Sequence, residues 1–582
     1  MKQLEKLVEP LLARLPSVGR IQAAVNVATG LTHNPIDASK LVQLLIDGNL
    51  SEVTISPDPI TGDDRVWLSK KSNIFRISRV QKKWSYEDPV LHHTEVDALN
   101  VLQAVQFQVS SRVFAFVEKV ANHPTLAEKR LNESDRSLVG QIREYLTEHA
   151  DGVFTQRYVM SDNRRLYALM NALSHQGGDL SRSLTDFAKK REVTQIDKWI
   201  DAIRDEYGVH LGNYKDVIAN PHKLWTDPSF FKFKKVKKPF CTLRAALAIE
   251  EVVTTGRTGY ILQQDQTCSG FQEFGILLRC PVLSTLTNLQ GGDKQDLYKT
   301  SASIARGMCP LSGLDDFFDR GPGKYFVMRV GYGAAARGLA RGMILSDTKS
   351  DIEYLDNTGA YVPNILDKLN EEDFNSTFYD LFKPMGWHRA VKGSIEVSKA
   401  YHKALMEISP RLRDALRLIK KANQTAIDRG EFLEWTLPSG AVKKLDGWEV
   451  NMEAEPIRIS MRQMGGKRFQ FRYLPMKRGV NNSKAPPCFI HSKDGWRMVN
   501  MILWASARGI DIAPIHDSIG TGGDDFLLVK SRWIEVVRAE CSTSSNMFWD
   551  MMKKYNIEVP HAVFGNGCTP MTIPDDAQYF MG

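Results

Sequence analysis

Apolar and polar positions recur along this chain in two rhythms. Repeats near 3.6 residues over Glu95–Lys119, Asp197–Tyr207 and Ala400–Gln424 predict amphipathic helices. A period of two over Ile457–Arg462 and Lys467–Arg472, either side of Met464-Gly465-Gly466, predicts a hairpin. Short apolar runs ending at Asp265 and at Ile515 predict strands. Another runs from Glu434 to Leu437 and leaves into Pro438-Ser439-Gly440. The mixture predicts an α/β mixed (α+β) fold. Internal repeats and low-complexity tracts are absent from the sequence.

Two of those strands end on carboxylates. Tyr260–Gln264 leads to Asp265, followed by Thr267-Cys268-Ser269-Gly270. Ile510–Ile515 leads to His516-Asp517-Ser518-Ile519-Gly520-Thr521, before a Gly-rich turn over Gly520–Gly523. Two strand-end aspartates remote in sequence suit a two-metal phosphoryl-transfer site, because Mg²⁺ takes one or two carboxylates and leaves other positions to water and phosphate. Each aspartate alone reads more readily as a turn former than as a ligand.

Between them, Arg320, Lys324, Met328 and Tyr332 recur every fourth residue, with Gly333 next. Steps of four keep side chains on one helical face. Asp319 can cap the start, and Pro322 is tolerated in a first turn. Two cations, an apolar side chain and an aromatic hydroxyl in that order suit a triphosphate followed by its sugar; a solvated basic helix edge is the plainer alternative.

Together the three segments resemble motifs A, B and C of the single-subunit, phage T7-like RNA polymerases. The family patterns are Asp-x-Ser-x-Ser-Gly-x-Gln-x-Phe, Arg-x3-Lys-x3-Met-x3-Tyr-Gly and His-Asp-Ser-Phe-Gly-Thr. This chain departs from them at Thr267 for Ser, Glu273 for His and Ile519 for Phe. Asn163-Arg164-Arg165-Leu166-Tyr167 with Gln176–Asp179, and Ala485–Gly495, resemble further family segments, and Ala98–Val120 resembles the helix leading into the thumb.

The resemblance implies a right hand: a reduced N-terminal domain over 1–94, a thumb-like helical region over 95–150, a palm over 151–283 and 491–582, and fingers over 284–490. It implies that Asp265 and Asp517 hold two Mg²⁺ ions, and that Arg320 and Lys324 bind the β- and γ-phosphates, with Lys324 donating a proton to pyrophosphate. Met328 lies in the same nucleotide site, Tyr332 and His491 beside the ribose, and Arg165 beside the nucleotide or nascent strand. The hairpin 457–473 occupies the place of the family's specificity loop. By position Arg458, Ser460, Arg468 and Gln470 match its base-reading residues, and Arg and Gln suit guanine and adenine edges; a basic hairpin touching only phosphates fits the same residues.

Composition narrows this little. A formal charge of +8 and pI ≈ 8.9 suit nucleic acid, and 43% hydrophobic content supports buried cores. Phe230–Lys238 interleaves aromatics with lysines, a stacking stretch or a solvated edge. Seven cysteines lack any Cys-x-x-Cys pair, which predicts reduced thiols in a cytosolic compartment. No apolar run approaches the roughly 18–20 residues of a membrane span, and Met1–Glu5 shows no signal-peptide core.

The expected activity is DNA-dependent RNA synthesis from NTPs by a monomer in the cytoplasm of an infected bacterium, with DNA template and RNA product as partners. The shortness of 1–94 and of the thumb-like region beside the family's own suggests weak promoter melting and use of single-stranded or factor-opened DNA, with an accessory or single-strand-binding protein as a further partner. A primase making short RNA primers shares this active site. A DNA polymerase fits less well, because Ser518 stands where those enzymes carry Glu. A non-enzymatic DNA-binding protein has no use for Asp265 with Asp517. The ending Gln578–Gly582 does not match the family's aromatic–alanine pattern.

Overall fold

In the computed structural model of the chain, the described residues are 91–123, 130–161, 163–168, 173–226, 236, 238–344, 378, 381, 387–445, 484–565, 568–577 and 580–581. The backbone of the strands Leu50–Ser56, Trp448–Val450, Ile457–Gln463, Arg468–Tyr473 and Met476–Arg478 joins them. Long helices surround small antiparallel sheets of two or three strands, the mixed architecture that the two rhythms predict.

Three apolar cores organise the described residues. One joins Phe271, Phe274, Phe326, Tyr401 and Phe489, from the helices Ser269–Leu277, Arg320–Gly331, Trp387–Ile408 and Ala485–Ser506. A second packs Phe107, Phe154 and Phe187 against the helices Ile196–Tyr207 and Pro239–Thr255. The third gathers Leu99, Leu102, Met498, Ile502 and Trp533 around Ile519. Leu262 and Ala513 belong to the second core and Ile519 to the third. The three-stranded sheet Ala513–Ile515, Ser518–Thr521, Leu262–Asp265 therefore lies between two cores, which fix it from both faces.

Two expected helices are broken, each for a local reason. The pattern over Glu95–Lys119 becomes a helix His93–Ala104, a strand Gln106–Val109 and a helix Ser111–Ala121. Gln106-Phe107-Gln108-Val109 alternates polar and apolar, and the strand pairs on both edges, with Val153–Thr155 and Thr185–Phe187. Sheet pairing and burial of Phe107 outweigh the helical periodicity around them. The pattern over Ala400–Gln424 divides at Ser409. Pro410 opens a new helix, and the Ser409 hydroxyl caps it by accepting from Leu412 N at 3.2 Å. Asp197–Tyr207 is helical as expected, within Ile196–Tyr207.

The hairpin forms as the period of two predicts, with Ile457 opposite Tyr473 and Ser460 opposite Gln470. A third strand, Leu50–Ser56, pairs antiparallel with Ile457–Gln463. The side chains of Arg458, Ser460, Arg468 and Gln470 and the run Phe230–Lys235 lie outside the described residues.

A buried charge cluster ties three helices together. Glu273 on Ser269–Leu277 pairs with Lys493 and Arg497 on Ala485–Ser506, and both cations pair with Glu540 on Asp525–Cys541. Arg497 Nη2 stands 2.9 Å from Glu273 Oε2 and 2.8 Å from Glu540 Oε1. Glu273 and Arg497 are fully buried, so two carboxylates and two cations must neutralise one another. Replacing a single member leaves the others uncompensated. Arg497→Met should destabilise the protein by on the order of 3–5 kcal/mol, read as a lower thermal midpoint; a wild-type midpoint would contradict the network's importance.

Candidate active site

Strand pairing brings Asp265 and Asp517 to neighbouring backbone positions. Ser518 lies opposite Asp265, and Gln266 N donates to the Asp517 carbonyl at 3.3 Å. The bend that presents Asp517 is tighter than the sequence suggests. His516-Asp517 is itself the turn between Ala513–Ile515 and Ser518–Thr521, with His516 left-handed at φ 55°. Gly520 is therefore inside a strand rather than in the turn. A Cβ there would stand 2.9 Å from Ala513 O and collide with Ile261 and Gln263, so only glycine lets the strands close at this register.

Left-handed non-glycine residues recur around this point. Cys268, at φ 52°, ends the loop from Asp265 and starts the helix Ser269–Leu277, and Arg164, at φ 64°, precedes Arg165. Such conformations cost energy and persist where the surroundings over-determine them.

The helix Arg320–Gly331 carries Arg320, Lys324 and Met328, with Asp319 at the N-cap position but making no side-chain cap. Arg320 is drawn to Asp296 at 2.6 Å and lies over the Tyr298 ring. Lys324 is exposed, and Met328 Sδ accepts from the Tyr298 hydroxyl at 3.4 Å. Tyr332 closes the helix. Its ring meets His491 edge-on at 4.9 Å, and a Cβ on Gly270 would come within 2.9 Å of its hydroxyl. Gly270 thus gives Tyr332 room beside the Asp265 loop.

Behind Tyr332, Arg165 Nη2 pairs with Asp494 Oδ2 at 2.8 Å, and its guanidinium acts on the Tyr332 hydroxyl from close by. Asn163 Nδ2 approaches His491 Nδ1 at 3.2 Å; with the amide donating, the ring proton sits on Nε2. Burial, with Arg165 and His516 nearby, pushes His491 down to about 3, so the ring is neutral at physiological pH. Burial likewise raises Asp494 to about 6, with Arg165 pulling it down and Asp517 pushing it up. Burial and the neighbouring Asp494 raise the Tyr332 phenol, so it remains a hydroxyl.

The carboxylates fit a hard divalent ion. Asp265 is exposed and Asp517 half-buried, and among the described residues neither is ion-paired to Lys or Arg. No group of three or more His, Cys, Asp or Glu there could enclose a metal. Two such carboxylates suit a hard divalent ion that keeps water and phosphate as its other ligands.

Two contributors carry no motif signal. Tyr298 is raised by burial first, then by the neighbouring Cys268, and feels both Asp517 and Tyr332. Phe580 and Met581 reach the site: Thr267 N donates to Phe580 O at 2.9 Å, Gln272 Nε2 to the same oxygen at 3.1 Å, and Gln266 bridges Met581. Nothing in the local sequence of either signals this.

Among known proteins, the family described as DNA-dependent RNA polymerase has a model that matches residues 211–531, more than half of the chain. The DNA-directed RNA polymerase of Pseudomonas phage phiKMV is 22% identical, over 74% of this chain and 58% of its own length. The mitochondrial DNA-directed RNA polymerase of Homo sapiens is 23% identical, over 65% of this chain and 30% of its own. The chain thus spans less than two thirds of either relative. No described helix is long and apolar enough to cross a membrane.

The electrostatics of His491 are directly measurable. With its folded value near 3 and the ordinary value at 6.5, the unfolded chain takes the proton first. Its contribution to stability is complete above pH 6.5 and is lost as pH falls toward 3. Histidine NMR should show a neutral His491 ring from pH 7.5 to 5; a ring titrating near 6.5 would contradict this environment.

Proposed function

The chain belongs to the DNA-dependent RNA polymerase family, and we propose that it is itself a DNA-directed RNA polymerase, transferring NMP from NTP to an RNA 3′-hydroxyl on a DNA template. The observation that carries this reading is the strand pairing that sets Asp517 beside Asp265. In this proposal the residues around that pair form a palm, 284–490 the fingers and 95–150 a thumb, in a monomer acting in the cytoplasm of a phage-infected bacterium.

Asp265 and Asp517 would hold a pair of Mg²⁺ ions. Bound there, these ions would neutralise charge on the attacking and leaving oxygens. Arg320 and Lys324, four residues apart on one helix, would receive the β- and γ-phosphates. The 3′-hydroxyl gives up its proton to solvent water as it forms the new bond to the α-phosphorus, the α–β anhydride breaks, and pyrophosphate leaves. Lys324, exposed on its helix, would supply a proton to that leaving group. The Tyr332 hydroxyl and the His491 Nε2–H would meet the sugar 2′-hydroxyl, where a deoxy sugar would leave them without a partner. Much of the rate then comes from positioning and charge stabilisation. In the same reading Arg458, Ser460, Arg468 and Gln470 on the hairpin 457–473 contact duplex DNA.

The test is NTP incorporation with Mg²⁺ on matched duplex and single-stranded DNA, with products sized. Long RNA is expected, and Asp265→Asn and Asp517→Asn should each lose about a thousandfold or more while still binding DNA. Short products extended by a DNA polymerase would make it a primase. No product from wild-type protein would overturn the reading.

A further inference from the structure

Beside Tyr332, three buried polar atoms lack a hydrogen-bond partner among the described residues: Arg165 Nε, His491 Nε2 and Asp494 Oδ1. Buried polar groups are nearly always satisfied, so such a cluster marks a place where something else completes the bonding. His491 Nε2 faces that need directly. Asp494 is different, because its other oxygen is already committed to Arg165.

Arg165 has two carboxylates to choose between. Asp494 holds it at 2.8 Å, and Asp517 also attracts it. Asp494 lies one turn beyond His491 on the helix Ala485–Ser506, and Arg165 lies two residues beyond Asn163, the partner of His491. The segment Asn163–Arg165 and this helix thus grip each other through two polar pairs, Asn163–His491 and Arg165–Asp494. The same approach is tight in the backbone, where a Cβ on Gly495 would collide with Arg164 O.

Tyr332 depends on that grip. A tyrosine hydroxyl can donate one hydrogen and accept others. With the Arg165 cation held beside it by Asp494, the hydroxyl turns its oxygen toward Arg165 and its hydrogen elsewhere. If Arg165 swings to Asp517, the oxygen loses that neighbour and the hydroxyl is free to turn.

We infer that Asp494 is a specificity-determining positioning residue: by holding Arg165 it fixes the direction of the Tyr332 hydroxyl, and so sets how strongly the site prefers ribonucleotides to 2′-deoxyribonucleotides. This rests on the polymerase reading above. Asp494 touches no reacting atom in this account; it acts through Arg165 and Tyr332.

Asp494→Asn keeps the shape and removes the charge that holds Arg165. Steady-state kcat/KM for an NTP and its dNTP on one primed template should give a ratio that falls on the order of tenfold. In a Tyr332→Phe background the same substitution should change the ratio no further. Equal slowing of both nucleotides would show a purely structural role and overturn the inference. So would an unchanged ratio, or additive effects in the double variant. Arg165→Lys, which keeps the charge but loses the planar fork, should also lower the ratio, and decides the matter should Asp494→Asn fail to fold. Wild-type protein that incorporates neither nucleotide would instead overturn the polymerase reading itself.

Discussion

Asp265 and Asp517, 252 positions apart in the sequence, become neighbours through the register of two short antiparallel strands, Leu262–Asp265 and Ser518–Thr521. A slip of one residue would turn every side chain of one strand to the opposite face. Three features hold the register. Gly520 removes the Cβ that would strike Ala513 O, Ile261 and Gln263. Ser518 Oγ donates to Gln263 Oε1 at 2.8 Å across the pair. Leu262 and Ile519 anchor the two strands in different apolar cores. The site therefore stands on rigid elements, where positional error costs most.

The chemistry around that register is layered by solvent access. Asp265, Lys324 and Arg320 are exposed and so open to a charged ligand. Behind them, Tyr332, His491, Arg165 and Asp494 are largely buried, and burial keeps the first two neutral. Deeper still lies the pairing of Glu273 and Glu540 with Lys493 and Arg497. These layers touch: Gln266, next to Asp265, donates to Glu273 at 3.1 Å, and Lys493 precedes Asp494 in the chain. The deep cluster thus adjoins Asp494 in the chain and reaches the neighbour of Asp265 through Gln266. Its cost of desolvation is met only because all four charges are present.

The sequence made the site's outer layer legible and its inner layer obscure, for a physical reason. Asp265, Asp517 and the Arg320–Tyr332 face carry local signals: strand ends, a glycine-flanked bend and a spacing of four. Arg165–Asp494 and Glu273–Arg497 join residues more than two hundred positions apart, with nothing nearby to announce the partner. Glu273 could be noticed only as a departure from the family pattern; its two cations explain it. Tyr298 and Phe580 enter through packing of segments remote in sequence, which periodicity does not reveal. The fold shows the same divide. The hairpin and the Ile196–Tyr207 helix follow their rhythms, whereas Gln106–Val109 becomes a strand because two other strands pair with it.

The most direct measurement is Mn²⁺ binding, followed by electron paramagnetic resonance, for wild-type protein and for Asp265→Asn, Asp517→Asn and Asp494→Asn. Either of the first two should weaken binding at least about tenfold, because each removes one of two carboxylate ligands. Asp494→Asn should leave it within about twofold, since that carboxylate is committed to Arg165. Full affinity in Asp265→Asn or Asp517→Asn would contradict the claim that these paired strands exist to assemble a metal site.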